Sequence, residues 1–102
     1  AEYMLLITMK SSSTSKSDAQ SLEERIRIGM QILEDLLKRT LRAGDVVAQY
    51  SNTQYVVLLP ACNYESTGLV ADRIERLFRT EAGKRRLVLQ FEVEEVLTAT
   101  EK

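Results

Sequence analysis

The strongest constraint on this chain is residues 45–60, where two runs rich in β-branched and aromatic residues, 46–50 and 54–59, flank the polar trio Ser51, Asn52 and Thr53. Val and Tyr suit a pleated, half-buried surface, and Asn tolerates the left-handed backbone of a tight turn, so the stretch reads as a β-hairpin. Pro60 has no N–H to offer a sheet ladder and closes the second strand. The remaining elements must be arranged around this hairpin.

Before it, residues 3–9 form a continuous apolar run of strand length, which is expected of a central strand covered on both faces. The serine-rich piece at 11–17 has nothing to bury and is expected to be a loop. Ser21, followed three residues later by Glu24, has the capping-box spacing and opens a helix to about Leu41. Leu22, Ile26, Gly29, Met30, Leu33, Leu37 and Leu41 follow the helical repeat, and Gly44 supplies a left-handed stop beyond it. Ile28, Ile32 and Leu36 widen the apolar face. They read either as packing under the serine loop or as a surface for a partner or a second copy.

After the hairpin, Asn63 can cap a helix over 64–79 with Val70, Ile74, Leu77 and Phe78 on its inner face. Residues 81–86 read as a turn around Gly83. Leu87, Leu89, Phe91 and Val93 then alternate with Val88, Gln90, Glu92 and Glu94, the pattern of a strand with one wetter face. A frayed tail is expected from Thr98. The order strand, helix, strand, strand, helix, strand is that of an α+β, ferredoxin-like βαββαβ fold: an antiparallel four-stranded sheet with two helices on one face.

Composition narrows the chemistry. At 102 residues the chain makes one domain with a core that needs no metal or disulfide staple. Its net charge of −1 argues against a broad nucleic-acid footprint. An RNA-binding ferredoxin-like module is also disfavoured, because the first strand offers only Tyr3 for base stacking. With no His and a single Cys62, a zinc site of the usual type, a His base and an internal disulfide are all outside its means. The lone thiol fits a reduced cytoplasmic setting. No apolar run approaches the ~20 residues needed to span a bilayer, so no membrane partner is expected. The chain opens without an initiator Met directly on a strand-like segment, and we expect a single domain cut from a longer protein.

The hairpin also resembles that of bacterial diguanylate cyclases, the GGDEF family of nucleotide cyclases, whose pattern runs Asp-x-Val-Ala-Arg-Tyr-Gly-Gly-Asp-Glu-Phe into an apolar strand. In register, the signature falls on Ser51, Asn52, Thr53, Gln54 and Tyr55. The resemblance is specific between residues 41 and 60 and loose over the rest of 3–93. It implies a truncated cyclase core of the same ferredoxin-like type. In the family, acids ending the first strand and in the hairpin hold two divalent ions against nucleotide phosphates. Here those positions look like Thr8 and Lys10, and Thr53 and Gln54. Hydroxyls and an amide do not neutralise Mg²⁺, and Lys10 repels it. The signature glycines that admit a nucleotide are replaced by side chains.

The resemblance therefore implies a degenerate domain: no enzyme, no metal and no cofactor. It suggests a regulatory module in a bacterial signalling or transcription protein, in contact with other domains of that protein or with its own copy as a homodimer. Arg42 and Asp45, just before the hairpin, match the family's Arg-x-x-Asp inhibitory motif, so a cyclic-di-GMP receptor is the alternative; Arg73, Arg76 or a second subunit are candidates for a further Arg. Against that stands the plainer reading of Arg42 as a cation at a helix C-terminus and of Asp45 as a turn residue. Tyr50 and Tyr55 can stack on a ligand or pack in the sheet. Glu92, Glu94 and Glu95 read as a solvated, edge-protecting strand face.

Overall fold

A computed structural model of the chain describes residues 2–12 and the backbone of 19–97. The elements are β1 (Glu2–Ser11), α1 (Ala19–Thr40), β2 (Val46–Ser51), β3 (Gln54–Leu59), α2 (Tyr64–Ala82) and β4 (Leu87–Val96). All strand pairings are antiparallel and the spatial order is β2-β3-β1-β4. The architecture is thus α+β, with a four-stranded antiparallel sheet and two helices, and is compatible with a ferredoxin-like fold. The expected serine loop at 11–17 and the tail from Thr98 fall mostly outside the described residues, although Ser11 itself ends β1.

Strand alternation sets the layers. On β1 and β3 the side chains of Leu5, Ile7 and Met9, and of Tyr55, Val57 and Leu59, are buried with Met30, Leu33 and Leu37 of α1 and Ile74 and Phe78 of α2. Both helices therefore cover the same face. The neighbours Met4, Leu6, Val56 and Leu58 stay partly exposed on the other side. The expectation that β1 is covered on both faces is corrected here. It is central in the sheet, but no described element lies over its second face.

At Gly29 a Cβ would come within 2.6 Å of Leu87 Cδ1 and 2.7 Å of Met9 Sδ, so α1 approaches the β1/β4 side of the sheet more closely than any side chain permits. Helix α1 begins at Ala19, which puts Ser21 inside it, and the Glu24 carboxylate accepts from the Arg27 guanidinium. The capping-box start is thus displaced by two residues. Helix α2 starts as expected: Asn63 Oδ1 accepts the Ser66 N–H at 2.7 Å. It runs on to Ala82, because Ala82 is itself buried, and ends at Gly83 with φ +61°. Strand β4 continues to Val96, paired with β1 along its whole length.

Candidate functional site

The hairpin tip is held by neutral hydrogen bonds. The Ser51 hydroxyl accepts the Thr53 N–H at 3.2 Å and donates to Gln54 Oε1 at 2.9 Å. The Gln54 amide then donates to Thr8 Oγ1 at 3.1 Å, joining the tip to β1. Register places these groups, since Thr8 and Gln54 are direct cross-strand partners. The Thr53 carbonyl also accepts the Met9 N–H at 2.8 Å. The first-strand and hairpin positions compared with cyclase acids are thus brought together as a hydroxyl and an amide. Among the described residues no group of three or more His, Cys, Asp or Glu is placed to hold a metal ion.

Beside the tip, a groove of about 640 Å³ runs between α1 and the hairpin. Leu22, Ile26, Met30 and Tyr55 line it together with the polar groups of Gln31, Glu34, Gln49, Asn52 and Thr53. Periodicity identifies Leu22, Ile26 and Met30 as an apolar stripe but does not show that Leu22 and Ile26 are only half-buried. Of the two hairpin aromatics, Tyr55 is buried in the core and Tyr50 is 70% exposed. Burial pushes the Tyr55 phenol above its ordinary pKa, and the nearby carboxylates of Glu34 and Asp35 add to the shift.

Arg42 and Asp45 lie at a second, smaller cleft of about 260 Å³. Arg73 of α2 lines the same cleft, with Cys62 and Ser66. The structure therefore brings Arg73 alongside the Arg-x-x-Asp motif, and Arg76 lines a different, shallower depression. Asp45 is engaged within its own turn. Its carboxylate is 4% exposed, accepts the Arg42 backbone N–H at 2.8 Å and lies 3.8 Å from Arg42 Nε. Gly44, at φ +99°, lets the chain reverse between the two. The Arg42 side chain stays 67% exposed. Cys62 is a buried thiol that accepts from the Thr67 hydroxyl at 3.7 Å.

The Ile28, Ile32 and Leu36 stripe behaves differently from a free surface. Leu36 is fully buried, Ile32 packs against the core and Ile28 is half-buried. An interaction surface that includes Leu36 is corrected by this packing, which the sequence pattern does not distinguish from exposure. Glu92, Glu94 and Glu95 are exposed along β4. No family model matches the chain and no curated protein matches it. Among the described residues no helix is long and apolar enough to cross a membrane.

Proposed function

We propose that this chain is a non-catalytic, degenerate GGDEF-like domain that regulates a bacterial signal-transduction or transcription protein through contacts with other domains. The hydrogen bond from Gln54 to Thr8 carries this reading. Two-metal phosphoryl chemistry needs anionic oxygens facing each other across this point, and a neutral amide bonded to a hydroxyl offers no charge to balance Mg²⁺. The side chains of Ser51 and Asn52 occupy the turn where the family keeps glycines to admit a nucleotide.

A second reading, a cyclic-di-GMP receptor, is favoured by one observation: Arg42 and Arg73 line a single cleft with Asp45. Two guanidinium groups can grip phosphate or guanine bidentately. The cleft is smaller than the roughly 300 Å³ at which small-molecule pockets begin, so it would take one end of a cyclic dinucleotide rather than enclose it.

Two measurements test these readings. Incubation with GTP and Mg²⁺ should yield no cyclic dinucleotide, and turnover would overturn the non-catalytic reading. Calorimetric titration with cyclic-di-GMP, with Arg42→Ala alongside, then separates the two: saturable heat that disappears in the variant makes the domain a receptor, and no heat leaves the contact reading.

A further inference from the structure

The face of the sheet opposite the helices carries an ordered pattern of side chains. Register aligns Val46, Leu58 and Met4 across β2, β3 and β1 in one row, and Ala48, Val56 and Leu6 in the next. On β4 these rows end in Glu94 and Glu92. The result is an apolar strip three strands wide with two carboxylates along one side. Val46 is 53% exposed, and Ala48, Glu92 and Glu94 are exposed as well.

The geometry points to this strip as the docking site for an amphipathic helix of a partner domain, with an apolar stripe and a row of Lys or Arg along one flank. Three strands span about 10 Å, close to the diameter of a helix. Glu92 and Glu94, two residues apart, are separated by about 7 Å, near the rise of one helical turn, so cations one turn apart on the helix can meet both. Such a helix would cover the apolar rows and place its cations over β4.

Charge decides against a second copy as the occupant. In a face-to-face pair that stacks one apolar strip on the other, a two-fold axis across the strands sets β4 over β4 with Glu92 opposite Glu94, and Lys10, two rows beyond Leu6 on the same face, lies outside the overlap. An axis along the strands sets β4 over β2, where Glu92 and Glu94 meet Val46 and Ala48 with no cation. Neither arrangement satisfies the acidic rim, whereas a basic helix does. The inference rests on the reading of a non-catalytic contact domain and names the surface and partner chemistry for it.

The test uses the intact chain and two labelled helical peptides of about 18 residues, long enough to exceed the marginal range for isolated helices. One carries a leucine stripe flanked by lysines, and the other has glutamates in place of those lysines. In fluorescence anisotropy the lysine peptide should bind saturably and the glutamate peptide should not. The double variant Glu92→Lys, Glu94→Lys should weaken the lysine peptide roughly tenfold, from two exposed ion pairs, and gain binding of the glutamate peptide. Ala48→Asp, with its fold checked by thermal melting, should abolish binding of the lysine peptide. Equal lysine-peptide binding by the wild type and the charge-swap variant, or no binding by the wild type, would overturn the inference. So would a concentration-dependent dimer broken by Ala48→Asp, since the occupant would then be a second copy. Turnover of GTP would overturn only the non-catalytic reading, so the two failures are distinguishable.

Discussion

The two faces of the central strands are built from similar residues but end in different environments. Leu5, Ile7, Val57 and Leu59 are fully or almost fully buried beneath the helices, while Met4, Leu6, Val56 and Leu58, one residue out of step, remain half-covered. On β4 the two faces do differ in composition, with Leu87, Leu89, Phe91 and Val93 toward the helices and Gln90, Glu92 and Glu94 away from them. Apart from Val88, which is 47% exposed, the edge strand is polar where it faces water, and its carboxylates guard it against pairing with other chains. The centre is apolar on both sides, and among the described residues its second face is left partly exposed.

Truncating one residue on each face should separate the two environments most strongly. Leu5→Ala opens a cavity in a closed core and should cost about 3 kcal/mol, whereas Leu6→Ala faces an uncovered surface and should cost about 1 kcal/mol or less. Denaturant unfolding of the two variants reads the difference directly. Equal losses would mean that the second face is covered in solution.

The next effect appears at high pH. The Tyr55 phenol, raised above its ordinary value first by burial and then by Glu34 and Asp35, keeps its proton in the folded state where the unfolded chain has lost it. Its stabilising contribution is therefore complete below about pH 10 and falls as pH rises from there through the folded-state value. Unfolding midpoints of Tyr55→Phe should fall less steeply than those of the wild type in that window. Parallel curves would place the alkaline loss elsewhere.

The smallest effect is expected at Arg39, whose guanidinium bridges α1 to Glu81 of α2 at 2.6 Å. Both side chains are substantially exposed, so water and salt screen the pair. Arg39→Ala should shift the thermal midpoint only marginally at low salt and not at all at high salt. A shift that survived high salt would show that this ion pair joins the helices more firmly than their exposure allows.

Much of the architecture is legible in the sequence because it rests on local chemistry. The hairpin, the Asn63 cap and the alternation on β4 each depend on neighbours within a few residues and appear where the pattern puts them. The start of α1 is not, because Ser21 and Glu24 have capping-box spacing, yet helical backbone continues through them from Ala19. Of the candidate site, the positions are legible and the contacts are not. The hydrogen bond from Gln54 to Thr8 follows from a register that the sequence does not print. The approach of Arg73 to Arg42 depends on where α2 lies relative to the turn after α1.

The order of the elements and the residues that share a face can be read from the amino acids alone, because side-chain periodicity follows from backbone geometry. So can the neutral chemistry of the hairpin tip, since Ser51, Asn52, Thr53 and Gln54 carry no charge in any fold. Which apolar faces are covered emerges only when the elements pack. Leu36 disappears into the core while Val46 stays open. Periodicity cannot distinguish them, because burial depends on what packs from elsewhere in the chain, and that is settled by long-range packing rather than by neighbours in sequence.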